Sequence, residues 1–330
     1  MAHDRFGALA AKAKALYGNR LKPADYETLV RINTVQAAVD YLTTHTAYAE
    51  VLQAWQPGMV RRGLFENQIR TAVWLRMSRL LHLTARAGDP VFFLFIHRLD
   101  ISRCLQSLGL LNGGAAEVTL PDAAELPVAR IRQVTGLEDL QAAYAKVPFI
   151  REALTSPPRT TEGRFDLLAC ENRLMTAYDR QIARARGMPP LLRRLFDAQA
   201  DAANLMTAYR LKKNHDLPPG NILPLLTTQT GRLTKTLWQR ILETPPDALP
   251  ALMRTTVYAR FFQSQDLAAD ARRMVVELAR HTYYQTMESR CVFCSYHVLL
   301  QNEADNLIRI VEGLRYGWNA EAIRETLLLI

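Results

Sequence analysis

The chain repeats a sequence pattern about every hundred residues, and this period constrains its fold more than any other feature. The segment ENQIRTA at residues 66–72 returns as ENRLMTA at residues 171–177, which is 105 positions later. Asp100 returns as Asp201 after 101 positions, and each is preceded five residues earlier by a phenylalanine. Repeats at a fixed period indicate repeated structural units. We therefore predict three similar domains with pseudo-threefold symmetry.

An acid and an asparagine recur together in the second and third copies. Asp201 and Asn204 return as Glu303 and Asn306 after 102 positions. Side chains three positions apart share one face of a helix, and both Asp and Asn are indifferent helix formers. We therefore predict that these four residues and Asp100 hold helices together by bonding to a neighbouring helix or its exposed carbonyl groups. A contact with a partner protein is the alternative.

Apolar residues recur at intervals of three and four along almost the whole chain, which is typical of amphipathic helices. One such stripe begins at Leu29 and runs through Val35 to Leu42. Alternation with a period of two, the mark of strands, is almost absent. We predict an all-α fold in which each unit carries a long helix followed by a return helix. These helices are predicted at residues 65–86, 90–108, 164–186, 191–211, 266–290 and 291–316.

Segments rich in proline and glycine interrupt the helical pattern and indicate breaks between elements. They lie at residues 112–114, 156–158 and 218–221. Three units of about 100 residues each are near the usual size of a domain. We place these units at residues 5–112, 118–218 and 221–330.

The composition is that of a packed, soluble protein. Hydrophobic residues make up 49% and charged residues 22% of the chain. No run approaches the ~18 apolar residues that cross a bilayer, and the first residues lack the apolar core of a signal peptide. We therefore expect the protein to stay in the cytoplasm.

The sequence lacks the motifs of common catalytic sites. It contains no phosphate-binding glycine loop, no paired-histidine zinc motif and no nucleophile elbow, so we expect neither catalytic residues nor a cofactor. Cys291 and Cys294, with His297 one turn further, would need a fourth ligand to bind zinc. We favour the packing of these cysteines in a helical core, and metal or redox chemistry is the alternative.

The formal net charge of +9 predicts attraction to an acidic partner protein or to anionic lipid headgroups. The basic residues are spread along the chain without an RNA-binding signature, so nucleic-acid binding is a minor alternative. One arginine doublet falls in each unit, although not at equivalent positions, and solvated helix faces are the plain interpretation of all three. The doublets that we nominate as partner contacts are Arg61 and Arg62, Arg193 and Arg194, and Arg272 and Arg273.

Several segments, taken in order, resemble one known family. They read YGNRL at residues 17–21, DYETL at 25–29, VQAAVDYL at 35–42 and TAY at 46–48. Together with the helices that carry Asp201 and Glu303, they resemble the C subunit of bacterial and archaeal V/A-type ATPases. The same family includes the d subunit of eukaryotic vacuolar ATPases. The resemblance covers essentially the full chain, but Arg103 and Cys104 stand where the family tends to carry Asn-Leu.

The resemblance implies a funnel-shaped, all-helical protein of three similar domains without catalytic residues. Such a protein lies on the cytoplasmic end of the membrane rotor ring and receives the tip of the central shaft, which is built from subunits D and F. It transmits torque between ATP hydrolysis or synthesis and ion transport. The resemblance also implies a peripheral protein that is monomeric when isolated.

A protein of another class is the alternative. A helical repeat adaptor that binds a soluble protein or RNA would show similar periodicity. The sequence also leaves open whether H⁺ or Na⁺ is transported, because the ring sets that choice.

Overall fold

The computed structural model describes residues 7–53, 62–83, 90–114, 133–227 and 230–330, and every structural statement below concerns these residues. Across these ranges the chain is helical without any strand, which confirms the predicted all-α class. An isolated β-bridge joins Arg159 and Phe165. None of the described helices combines the length and the apolarity that a bilayer span requires.

The helices are numbered here in chain order. They are α1 (Gly7–Tyr17), α2 (Pro23–Arg31), α3 (Val35–His45), α4 (Ala49–Leu52), α5 (Arg62–Leu81), α6 (Pro90–Leu111), α7 (Leu137–Ala143), α8 (Pro148–Ala153), α9 (Leu167–Arg184), α10 (Pro190–His215), α11 (Pro219–Ile222), α12 (Lys235–Glu243), α13 (Leu249–Met253), α14 (Leu267–Gln285), α15 (Ser289–Arg315) and α16 (Ala320–Thr326). Short 3₁₀ turns follow α11, precede α13 and precede α14.

The described residues form two compact units. The first unit contains the described residues up to 83 together with those from 279 onward, and the second contains those from 90 to 278. The three sequence units at residues 5–112, 118–218 and 221–330, and their pseudo-threefold symmetry, stay a prediction.

The first unit is built around α15, which packs against α1, α3, α5 and α16. Gly313 allows α16 to approach α15 closely, because a Cβ atom at this position would lie 2.6 Å from the Cγ1 atom of Ile323. Most of α15 is buried, and its described apolar side chains include Phe293, Leu300 and Leu307. The long helix is therefore the core of this unit.

The second unit has an apolar core between α10 and the short helices that follow it. Leu205 and Ala208 of α10 meet Trp238 and Ile241 of α12 and Phe262, which precedes α14. Elsewhere in this unit α6 packs along α9, and α8 packs against α9. In each unit, short helices thus pack against a long helix, α15 in the first unit and α10 in the second.

Helix boundaries differ from the sequence prediction where a side chain caps the backbone. The stripe from Leu29 to Leu42 is divided between α2 and α3, because the Thr34 hydroxyl accepts a hydrogen bond from the Ala37 amide at 3.2 Å and starts a new helix. The segment at residues 218–221 was predicted as a break, but part of it forms α11. The helix predicted at residues 266–290 ends at Gln285. The next helix, α15, begins at Ser289 because the Glu288 side chain caps it.

Candidate functional site

Asp201 of α10 joins this helix to two later segments of the second unit. Its Oδ2 atom accepts hydrogen bonds from the Tyr258 hydroxyl at 2.7 Å, the Arg232 amide at 2.7 Å and the Leu233 amide at 3.3 Å. Asp201 is 1% exposed. Three donors on one buried oxygen fix the position of the loop before α12 on the surface of α10.

Gly231 allows this loop to approach the carboxylate. Its φ angle is +110°, a conformation that side chains with a Cβ rarely adopt. A Cβ atom there would lie 2.3 Å from the Oδ1 atom of Asp201. The Gly231 amide donates to the Oδ1 atom of Asp197 at 3.2 Å. Glycine is thus required at this position both for backbone conformation and for space.

Burial is the main electrostatic influence on the Asp201 carboxyl. Burial raises the pKa of Asp201 to about 6, although the hydrogen bonds from Arg232, Tyr258 and Leu233 favour the charged form; the nearby Asp197 carboxylate adds to the rise. Burial and the Asp201 carboxylate also raise the pKa of Tyr258, so its hydroxyl keeps the proton that it donates. Among the described residues, no Lys or Arg side chain forms an ion pair with Asp201.

Glu303 of α15 has a related set of partners in the first unit. Its Oε2 atom accepts from the Leu21 amide at 2.9 Å, and its Oε1 atom accepts from the Tyr48 hydroxyl at 2.9 Å. Oε1 also forms an ion pair with Arg76 of α5 at 3.1 Å. The Arg76 guanidinium lies over the Tyr48 ring, 4.5 Å from its centroid. This acid therefore has a buried cation as its counter-ion.

The two acid sites share a local sequence pattern. Leu21 and Leu233, whose amides donate, each directly precede the N-cap residue of a helix, which is Lys22 for α2 and Thr234 for α12. The two tyrosines lie in the same kind of turn: the Thr46 hydroxyl accepts from the Tyr48 amide and the Thr256 hydroxyl from the Tyr258 amide, each at 3.1 Å. Residues 46–49 (TAYA) also match residues 256–259 (TVYA) in sequence, so the likeness of the two segments extends to their hydrogen bonding.

Asn204 and Asn306 each bind one backbone segment through both ends of the side-chain amide. Asn204 donates to the Thr227 carbonyl at 2.6 Å and accepts from the Thr227 amide at 2.9 Å. Asn306 donates to the Leu328 carbonyl at 2.9 Å and accepts from the Leu328 amide at 3.0 Å. Both asparagines are buried, so they satisfy backbone groups that would otherwise lack partners.

Asp100 lies in α6 and is buried, and a tyrosine hydroxyl binds its backbone carbonyl. The Tyr144 hydroxyl donates to the backbone carbonyl of Asp100 at 3.0 Å. Arg103 and Cys104, which stand where the other copies carry Asn and Leu, are fully buried in the same helix. The first copy of the motif thus keeps a buried acid and a tyrosine contact without the asparagine clamp.

The arginine doublets have unequal surroundings. Arg61 lies outside the described residues, and so does the side chain of Arg62 at the start of α5. Arg193 donates to the Ile182 carbonyl at 2.9 Å at the end of α9, whereas Arg194 is exposed.

The third doublet lies on α14. Arg272 is half-buried, and Arg273 forms an ion pair at 3.0 Å with the buried Asp270. A contact of any doublet with a partner stays a prediction.

Both cysteines of the 291–294 pair lie in α15. Cys291 is buried and Cys294 half-buried, and neither forms a disulfide. Within the part of the chain that the structure describes, no three His, Cys, Asp or Glu side chains are placed to hold a metal ion.

Sequence reasoning missed several members of these sites. It did not link Tyr48 or Tyr258 to the acids, although the match of TAYA at residues 46–49 with TVYA at residues 256–259 was a usable signal. Arg76 carried no signal, since arginine is common on that helix. Asn112 was assigned only to a break, yet it exchanges hydrogen bonds with the Phe165 backbone at 2.8 Å in both directions.

These contacts define a class of all-helical protein in which buried acids, tyrosines and asparagines of repeated segments fix loops to long helices. A family model for the ATP synthase (C/AC39) subunit matches residues 9–326. The chain therefore belongs to this family, which comprises the C/AC39 proteins of V/A-type ATPases and the eukaryotic d protein. The match confirms the resemblance seen in the sequence. A search of curated proteins found no match.

Proposed function

We propose that the protein is a non-catalytic central-stalk component of a V/A-type rotary ATPase. In this role it is a socket that links the central shaft, subunits D and F, to the membrane rotor ring. It transmits torque between the ATP-hydrolysing or ATP-synthesising head and ion transport. It lies peripherally on the cytoplasmic face of the membrane and is monomeric when isolated.

The observation that carries the proposal is the family match over residues 9–326. The buried polar contacts support it in a physical sense. A part that transmits torque has to resist deformation, and Asp201 and Glu303 each tie a long helix to a tyrosine and to a backbone amide far along the chain. Hydrogen bonds to charged groups are stronger than neutral ones, at roughly 1.5–3 kcal/mol each.

Purification of the native assembly through a tag on this chain tests the proposal. We expect ring, shaft and head subunits to purify together with the chain in fixed ratios, and the isolated chain to hydrolyse no ATP. Recovery of an unrelated soluble protein or RNA without rotary ATPase subunits would contradict the proposal and favour a helical adaptor. ATP turnover by the isolated chain that a substitution in this chain abolishes would contradict its non-catalytic role.

A further inference from the structure

In the first unit, a row of tyrosine rings runs from the core to the surface where the ends of α1 and α14 meet. The ring centroids of Tyr17 and Tyr283 are 4.9 Å apart, and those of Tyr283 and Tyr284 are 5.3 Å apart. Tyr283 is buried, whereas Tyr284 is 56% exposed. Met287, three residues later, is 54% exposed. Two large apolar side chains thus reach solvent from a packed base.

Three cations lie near this row of tyrosine rings. The Arg20 guanidinium lies over the Tyr17 ring at 4.5 Å from its centroid. The Lys14 ammonium is 5.6 Å from the Tyr283 centroid and donates to the Thr286 carbonyl at 3.3 Å. Arg280 is exposed one turn before Tyr284 on α14. We call Lys14, Arg20, Arg280, Tyr284 and Met287 the basic–aromatic patch.

The positive charge of the basic–aromatic patch is not neutralised within the described residues. Lys14, Arg20 and Arg280 form no ion pair there, in contrast to Arg76 and Arg324 of the same unit. Along the chain, the acid nearest to Arg280 is Glu277, which is exposed one turn earlier. The acid nearest to Arg20 among the described residues is Asp25, which accepts a hydrogen bond from the Tyr41 hydroxyl and forms no ion pair with Arg20. Glu288 binds Arg290 and caps α15. The patch therefore has a net positive charge.

We propose that the basic–aromatic patch docks an acidic segment of a partner protein that also presents apolar side chains. Tyr, Met and Arg are enriched at the cores of protein interfaces, and Tyr and Arg are over-represented among residues that dominate binding. Arg20 and Lys14 are already held against rings, so little rotamer freedom is lost when a partner binds. Complementary charge accelerates such an encounter.

An anionic lipid surface fits the basic–aromatic patch less well. Lipid-binding segments usually carry clusters of about four to eight Lys or Arg residues, whereas this patch has three, of which Arg20 and Lys14 are held at rings. The inference deepens the proposed function and rests on it for the identity of the partner. Among the proposed partners, the central shaft would supply the acidic segment.

Binding of the purified shaft subcomplex, subunits D and F, to the full-length chain tests this inference. The variants are Arg20→Glu with Arg280→Glu, and Tyr284→Ala alone. Arg240→Glu, an exposed charge reversal on α12 of the second unit, is the matched control. Because all these side chains are exposed, each variant should keep the circular-dichroism spectrum and melting temperature of the unaltered chain. We expect the double reversal to weaken binding about 30-fold or more and Tyr284→Ala to weaken it about tenfold. Binding by the unaltered chain should depend more steeply on salt than binding by the double reversal.

Each outcome of this experiment decides a specific point. Unaltered binding by both patch variants would contradict the docking role of the basic–aromatic patch and leave the proposed function intact. Failure of the unaltered chain to bind the shaft subcomplex would contradict the proposed function and the patch together. Phosphatidylserine–phosphatidylcholine vesicles provide a second probe. Loss of vesicle binding in the patch variants, with unchanged shaft binding, would show a lipid contact and overturn the protein partner.

Discussion

The acids of the repeated motif are stabilised differently in the two units. Glu303 in the first unit is paired with Arg76, whereas Asp201 in the second accepts only from a tyrosine and backbone amides. The surrounding geometry is nevertheless related, since each acid binds a tyrosine hydroxyl and the amide that precedes a helix start. The two sites therefore share their geometry but differ in charge. Glu303 has a permanent cationic partner, whereas Asp201 has none and its pKa is raised.

The largest difference should appear when the counter-ion is removed. Arg76→Met leaves the Glu303 charge buried without its cation, and breaking a buried ion pair costs about 3–5 kcal/mol. The free energy of unfolding, measured by urea titration with hydrogen exchange of α15 peptides, should fall by this amount. Arg79→Met, which breaks the exposed pair with Glu50, is the matched control and should cost about 0–1 kcal/mol. Equal losses in the two variants would contradict the role of Arg76.

The second effect is a pH dependence at the Asp201 site. The pKa of Asp201 is raised to about 6 in the folded protein, above the ~3.9 of an unfolded Asp. Its stabilising contribution is therefore fully present below pH ~4 and is lost as pH rises through about 6, a change of about 3 kcal/mol.

Asp201→Asn cannot titrate and so checks this dependence. The free energy of unfolding is measured across α10 peptides for both chains between pH 4 and pH 7. Subtracting the value of the variant from that of the unaltered chain should isolate the pH dependence that Asp201 contributes. Glu303→Gln is the comparison variant, because Glu303 has Arg76 as a fixed counter-ion. A flat difference curve for Asp201→Asn would show that Asp201 is ionised throughout.

Gly231→Ala tests the close approach at the Asp201 site. We expect a loss of more than ~2 kcal/mol, because positive φ costs about 1–3 kcal/mol and the new Cβ would overlap the carboxylate. Gly163→Ala is the matched control, since Gly163 also has positive φ, +79°, but has no atom within 4 Å of its Cβ position. An equal loss at both glycines, measured by thermal unfolding, would assign the effect to backbone conformation alone.

The smallest of these effects concerns the asparagine clamps. Asn204→Ala and Asn306→Ala each leave buried backbone groups without partners, which costs about 1–3 kcal/mol. Asn221→Ala, at an exposed position, should change stability by less than ~0.5 kcal/mol. We expect Asn204→Ala and Asn306→Ala to lower the melting temperature and to leave the affinity for the shaft unchanged below the melting transition. Full stability combined with lost assembly would instead make these asparagines partner contacts.

The fold class followed from the sequence because helical periodicity is a local property. The stripe around Leu29 and Val39 correctly indicated helices, but it gave no sign that Thr34 would cap a new one. The helix break near Glu288 was misplaced for the same reason. Capping depends on one side chain and one amide, and these signals are weak against the apolar pattern.

The candidate site was only partly predictable. The spacing of Asp201 and Asn204 indicated a polar contact on one helix face, since an acid and an amide inside a helix need partners. The partners themselves, such as Arg76 or Thr227, lie far along the chain or carry no motif. Gly231 shows its importance only through its φ angle and its distance from the carboxylate. Such long-range pairings depend on tertiary packing, which a single sequence does not display.

The most direct measurement of the central claim is ATP-driven ion transport by the native complex in vesicles, with and without this chain. If the chain couples the shaft to the ring, its removal should abolish transport while the head continues to hydrolyse ATP. Adding back the unaltered chain should restore transport. Undiminished ATP-driven transport by a complex shown to lack the chain would contradict the account.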